Sequence, residues 1–379
     1  MKPSHFVTME PTLRRVLLVG SLLSASAFQP RSFSARRSGA EASTRYHQRR
    51  GRVSAVVAGG EGRALIIQNK GGGHGELGFH LAGILEKKGI SVTLLHDGGP
   101  EPKSGKQPWD SYTQLEGKGV EIVWSDVAAS GSASLKEGPA FEYVFDNWSK
   151  DPDSATGFVD LAKSWDVSNY VFVSSAGMYE SSVPQPMVES ADVKLSGQRK
   201  VEVLLAENGL PWTSFRPQYI YGPNTNKRDY LDWFFDRAVR GKTLPIPEDG
   251  SQGVSITNAQ DVASLLASPL GNADAVGEVF NCGTDAVVTY EEVAQLVGKT
   301  VGKEVKVEYY DPAAFKLPKG AFPFRNTAFY VDVSKAKTVL GFAPSHALGD
   351  DMSWYYNDYV SLGNDKKDVD LSTDDMILS

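Results

Sequence analysis

The stretch ALIIQNKGGGHGELGFHL, residues 64–81, decides the fold. Ala64, Leu65, Ile66 and Ile67 make the short continuous apolar run expected of a strand buried on both faces. A glycine-rich turn follows, and then the pattern of a helix start. Gly72, Gly75 and Gly78 satisfy G-x-x-G-x-x-G, while Gly73, Gly75 and Gly78 satisfy G-x-G-x-x-G. Such glycines serve a tight turn, a close approach of backbone to a pyrophosphate, and close packing of helix on strand. Free N–H groups of the helix's first turn then face the anion. The spacing predicts a nucleotide cradle with Gly72, Gly73, Gly75 and Gly78 as cofactor-binding residues and NAD(P) as the cofactor. An acid at the end of the second strand should take the ribose hydroxyls. Asp97 stands there, and His96 beside it competes for the position, which keeps NADP open as well as NAD. His74, inside the loop, either bonds locally or meets a phosphate when protonated.

Working outward, apolar runs alternate with helical patterns. Residues 64–69, 91–97, 119–126, 141–147, 169–175, 212–220 and 278–283 read as strands, rich in Val, Ile, Phe and Tyr and bounded by Gly, Asp, Asn or Ser. Residues 78–88, 155–165 and 198–208 read as helices. This alternation predicts an α/β fold, a Rossmann-type doubly wound parallel sheet with a smaller C-terminal lobe. The expected division is residues 61–222 for the NAD(P)-binding Rossmann domain and 223–362 for the C-terminal lobe, with 278–283 returning to the sheet. Residues 98–118 read as a long exposed loop, and residues 363–379 as a loosely held polar tail.

The first 60 residues differ in texture. Arg14 and Arg15 precede VLLVGSLLSASA, a run too short to span a bilayer, which needs about 20 residues. Small residues at Ala25 and Ala27 suit a signal peptidase. The next segment is rich in Arg and Ser. Residues 1–27 are read as a signal peptide and residues 28–60 as a transit peptide, which together resemble the bipartite presequence of plastids acquired by secondary endosymbiosis. That resemblance implies the plastid (chloroplast stroma) as destination and no membrane span in the mature protein. Residues 1–58 hold ten of the 39 Lys and Arg and two of the 46 acids, leaving 29 basic and 44 acidic residues, a net charge of −15. A chain this acidic is not a general polyanion binder, so any nucleic-acid site must be a local patch. The single cysteine, Cys282, excludes an internal disulfide and a cysteine zinc site, and its apolar setting reads as a buried position.

GGGHGELG, GVEIVWSDV, FVSSAGMY, SFRPQYIYGP, SQGVSITNAQDVA and KAKTVLGFAP together resemble the extended short-chain dehydrogenase/reductase superfamily, which includes nucleotide-sugar epimerases and dehydratases. The resemblance implies a catalytic Tyr, a Lys four residues later on the same helix face, and a Ser on the fifth strand. Ser175 matches the Ser. The pair does not follow: no Tyr lies between Tyr179 and Tyr219, and none of the 15 Tyr has Lys at +4. Lys200 lies near the right helix, but Ser196 stands four residues before it. In the register set by EVLL, residues 202–205, the Lys position is Gln198 and the Tyr position Lys194. Tyr179 is the one nearby substitute, and reads more simply as a core aromatic. The usual hydride chemistry therefore lacks its proton donor.

Within that superfamily, residues 209–247, AFPFRNTAFYVDVSKAKTVLGF and the closing TDDMILS resemble the plastid stem-loop RNA-binding proteins. The resemblance implies an atypical member that binds stem-loop RNA, metal-dependent endoribonuclease activity, and association with plastid ribosomes and transcription complexes. An assembly of several copies is a compatible reading, as is a non-catalytic scaffold. For the chemistry, His74 and His96 are a candidate acid–base pair. Asp97, Asp126 and Asp146 end three strands at one sheet edge, where carboxylates would hold Mg2+. Asp126 is read first as a cofactor-binding residue, with Asp97, facing an adenine, and Asp146 alternatively caps a turn. No metal ligand is assigned. Lys227, Arg228, Tyr230, Trp233, Phe322, Phe324 and Arg325 are candidates for RNA contact, against the plainer reading of lobe packing.

Overall fold

The structure is a computed structural model and describes residues 62–69, 76–99 and 111–379. Seven parallel strands form the main sheet: β1 (Arg63–Gln68), β2 (Ser91–Asp97), β3 (Glu121–Ser125), β4 (Tyr143–Asn147), β5 (Asn169–Val173), β6 (Trp212–Pro217) and β7 (Glu278–Cys282). Their spatial order is β7-β6-β5-β4-β1-β2-β3. The order reverses between β1 and β4, which is where α/β sheets open a crevice at their carboxyl ends. All seven strands read from sequence lie in this sheet: β2 matches its apolar run, β1 is shifted by one residue, and the other five are one to three residues shorter. Glu278 stands opposite Thr213, so β7 extends the sheet as a parallel edge strand.

Side chains alternate across the sheet and meet helices on both sides. Ile66, Leu94, Phe145, Val171 and Phe215 face α1 (Glu76–Lys87) and α5 (Ala259–Leu266) through Leu77, Leu81, Leu85, Val262 and Leu266. Leu65, Ile67, Val144, Tyr170 and Phe172 face α2 (Pro152–Ser164) and α3 (Gly197–Glu207) through Phe158, Val159, Val201 and Leu205. Helix α2 starts three residues before its apolar pattern. Asp151 and Ser154 form a reciprocal capping box with Pro152 in the first turn, and both signals are local. Cys282 is fully buried, and burial pushes its thiol far up, so the reading as a small core residue holds.

A second cluster gathers α4 (Asp229–Val239), α6 (Tyr290–Val301) and α8 (Leu348–Ser361) around Phe234, Phe235, Tyr290, Phe322 and Phe324. Two short parallel strands, Leu244–Pro247 and Val307–Tyr310, pair beside it. Between α6 and α8 lies α7 (Ser334–Leu340).

Two loop readings change. Residues 98–118 include a short helix, Tyr112–Glu116, whose Tyr112 and Leu115 are buried. Two apolar residues in so short a helix were too few to stand out in a Gly- and Pro-rich stretch. The polar end of the chain is not loosely held. It closes in α9 (Ser372–Leu378), where buried Asp374 takes a two-bond fork from Arg237 at 2.7 Å on each arm. The presequence reading, at residues 1–60, lies outside the described residues, as do Gly72, Gly73, His74 and Gly75. Among the described residues no helix is long and apolar enough to cross a membrane.

Candidate functional site at the carboxyl edge of the sheet

The strand ends converge around the crevice beside β1. Gly78 fulfils the packing demand placed on its motif: a Cβ there would stand 1.9 Å from Gln68 Oε1 and 3.2 Å from Ile66 Cγ2. Helix α1 therefore presses on β1 as a dinucleotide cradle requires. Gln68 is itself held by Asn147 Nδ2, which donates at 3.2 Å, so the first and fourth strands are tied at their tips.

Asp97 ends β2 as expected and is almost completely buried. Its oxygens serve the protein. The Val127 backbone N–H donates to Oδ1 at 3.2 Å, and the Trp148 indole donates to Oδ2 at 3.1 Å. Trp148 comes from the end of β4 and packs edge-on against Phe158. His96 is fully buried, 4.6 Å from the Trp124 ring and 5.2 Å from Tyr112, with Nδ1 facing the Asp97 carbonyl at 3.2 Å. Burial lowers its pKa to about 4, with the Asp97 carbonyl and carboxylate opposing. A neutral, enclosed His96 does not suit a 2′-phosphate, and its proposed acid–base partner, His74, lies outside the described residues.

The three carboxylates do not form a metal centre. Asp146 is buried and accepts from the backbone N–H groups of Trp148 and Ser149 through Oδ1, and from Tyr170 through Oδ2 at 2.7 Å. Asp126 caps the following turn by accepting from Ala129 N at 3.0 Å. Among the described residues no group of three His, Cys, Asp or Glu could hold a metal ion. Mg2+ therefore has no ligand set there.

At the position expected of the proton machinery, Ser175 caps the turn Ala176–Met178, and its Oγ accepts from Gly177 N at 3.1 Å. Lys200 is exposed on α3. The helix register is fixed instead by Glu202, which is buried against the sheet. Ser174, Ser214, Arg199 and both arms of Arg216 donate to it at 2.8–3.1 Å. Burial alone would raise the Glu202 pKa, but Arg216, with Arg199 and Ser174, holds it below the ordinary value. Counting back from Glu202 places Gln198 in the first turn of α3 and Lys194 before its cap, Ser196. Lys194 is half-exposed and lies 4.0 Å from Glu180. Tyr179 offers no replacement. It is fully buried, donates to Asn281 Oδ1 at 2.6 Å and accepts from Arg216 at 3.2 Å. Burial raises its pKa despite Arg216.

This buried network around Glu202 and Arg216 escaped sequence reading, because its members lie on α3, β6, β7 and the segment after β5. The only sequence signal was a Glu at an apolar helix position. Most candidate RNA contacts are likewise spent on packing. Phe322, Phe324, Tyr230 and Trp233 belong to the aromatic core. Arg228 pairs with Asp232 and Asp358. Lys227 lies over Tyr230. Arg325 differs: it stacks on Phe329 at 3.9 Å and donates to the Gly177 carbonyl at 3.3 Å, which sets a partly exposed cation on the Ser175 turn.

The family model for the NAD dependent epimerase/dehydratase family matches residues 148–283. Chloroplast stem-loop binding protein of 41 kDa b from Arabidopsis thaliana is 32% identical over 88% of this chain and 88% of its own length. An uncharacterised UDP-glucose epimerase of Bacillus subtilis is 23% identical over 62% of this chain and 73% of its own. Among solved structures, UDP-glucuronic acid 4-epimerase from Bacillus cereus, in complex with UDP-glucuronic acid and NAD, superposes with a TM-score of 0.63 at 19% identity, covering 79% of this chain and 99% of that one. The last likeness is one of fold. The parallel sheet, the Gly78 contact and the kinship over 88% of the chain agree, and the chain belongs to the family of the chloroplast stem-loop binding protein, on the epimerase/dehydratase fold.

Proposed function

We propose that this protein binds stem-loop RNA in the plastid and does not carry out the hydride chemistry of its fold. The observation that carries the reading is the state of helix α3. In either register the Tyr–Lys pair is missing, since Ser196 and Lys200 or Lys194 and Gln198 take its places; Lys200 points to solvent, and Tyr179 is locked in a buried network. A function follows its site and not its fold. Kinship over most of the chain with a chloroplast stem-loop binding protein supports RNA as the ligand and the plastid as the location. Arg325, presented on the Ser175 turn, is the phosphate contact that the geometry favours. Divalent-metal-dependent cleavage is the finer form of the proposal. It requires a metal held by the RNA itself or by residues outside those described.

The test uses the full chain and a labelled stem-loop RNA, compared with an unstructured RNA of the same length, in Mg2+ and in EDTA. The reading expects preferential retention of the stem-loop in both conditions. Cleavage only in Mg2+ would add the nuclease activity. Equal or absent retention of both RNAs, with turnover of a UDP-sugar in NAD, would overturn it.

A further inference from the structure

We propose that Trp148 occupies the ribose acceptor of the nucleotide cradle and is the residue that sets this chain's discrimination against dinucleotides. The inference concerns Asp97 and holds whether or not RNA is the ligand.

Two sides of the cradle disagree. On the phosphate side, Gly78 meets its demand, because a Cβ there would displace the Gln68 side chain and crowd Ile66. On the ribose side, the acid that ends β2 is in place but already engaged. A ribose diol is recognised by a carboxylate at this position through its hydroxyl donors. Here the Val127 N–H meets one oxygen and the Trp148 N–H the other, at 3.2 and 3.1 Å. Indole is a donor only, so the bond to Asp97 satisfies it fully. Trp148 thereby sets the edge of its indole ring against Oδ2. Its other contact, Phe158 at 6.1 Å between ring centres, holds it from the α2 side.

Displacing Trp148 would strip a buried carboxylate of one charge-assisted bond and leave an indole N–H to find another acceptor. A dinucleotide must replace that bond with its own hydroxyl and move a large aromatic ring, so part of its binding free energy goes to the exchange. The other neighbours do not compensate. His96 turns its Nδ1 to the Asp97 carbonyl and is enclosed by Tyr112 and Trp124. His96 is therefore not placed to serve as a cation for a 2′-phosphate. Asp126 is turned to Ala129 N.

The experiment is a titration of the full chain with NAD+, NADH and NADPH by equilibrium dialysis, for the natural sequence, for Trp148→Phe and for Trp148→Leu. Phenylalanine keeps an aromatic ring and removes the donor; leucine removes the ring as well. Thermal melting selects the variants that fold. The natural chain is expected to bind each dinucleotide no more tightly than about 1 mM, and a folded variant to bind NAD+ about tenfold more tightly or better. Adding Asp97→Asn to that variant should abolish the gain, which assigns it to the freed carboxylate. A dissociation constant in the low micromolar range for the natural chain would overturn the proposal. So would folded Trp148 variants that bind no better than the natural chain, or a gain that survives Asp97→Asn.

Discussion

His96 sits between Trp124 and Tyr112 with no exposed surface, and burial favours its neutral form. Its folded pKa is about 4 against an ordinary 6.5. The unfolded chain therefore takes up this proton first as pH falls. The contribution of neutral His96 to stability is complete above pH 6.5 and is lost progressively down to about pH 4, roughly 3 kcal/mol across the window. Urea midpoints measured from pH 7 to 4 should fall accordingly, and His96→Phe should flatten that part of the slope. Tyr179 makes a second prediction at this scale. Removing its hydroxyl leaves Asn281 Oδ1 without its donor at 2.6 Å and weakens one arm of Arg216. Tyr179→Phe should cost about 1–3 kcal/mol of stability by urea denaturation and leave RNA affinity unchanged. An RNA-binding loss without a stability loss would place Tyr179 in the site after all. The place of Asp97 at the end of β2 was legible from local spacing, and Ser175 was singled out by the family resemblance. Their partners were not, because Trp148 and Val127 reach Asp97 from β4 and from the turn after β3.

Helix α3 is pinned to the loop after β4. A Cβ at Gly197 would stand 2.2 Å from the Lys150 carbonyl oxygen, a backbone atom that cannot rotate away. Gly197→Ala should push α3 off that loop and cost about 1–3 kcal/mol, readable as a lowered melting temperature. Helix α9 depends on one buried ion pair. Arg237 and Asp374 are 5% and 3% exposed, and Arg237 also stacks on Trp233 at 3.5 Å. Asp374→Ala leaves a buried guanidinium without its carboxylate and should cost about 3–5 kcal/mol, whereas Asp285→Ala, at the exposed pair with Lys337, should cost under about 1 kcal/mol. Similar losses for the two would mean that the terminal helix does not hold as described. This docking was hidden from sequence reading by composition: the segment is polar throughout, and its anchor lies 137 residues away. Strands and helices of the sheet were legible because their periodicity is local and strong. The capping box at Asp151 and Ser154 was equally local, but the helix boundary was read from apolar spacing alone.

Across the whole molecule, the alternation of strand and helix led to the parallel sheet, and the missing Tyr–Lys pair set the fold apart from its usual chemistry. The basic surface was less legible. Arg228, Trp233, Phe322 and Phe324 looked available in sequence, and the aromatic core of α4, α6 and α8 absorbs them. Arg325 remains at the Ser175 turn. With a net charge of −15 beyond residue 58, binding of a polyanion must rest on few contacts. Arg325→Ala should therefore weaken RNA binding across sequences and reduce the salt slope by about 1. The most direct measurement is the affinity of the full chain for a plastid stem-loop RNA as a function of salt concentration. The account predicts saturable binding that weakens linearly in log–log form with a shallow slope, reflecting a small number of phosphates. No binding at low salt, or binding indifferent to salt, would contradict it.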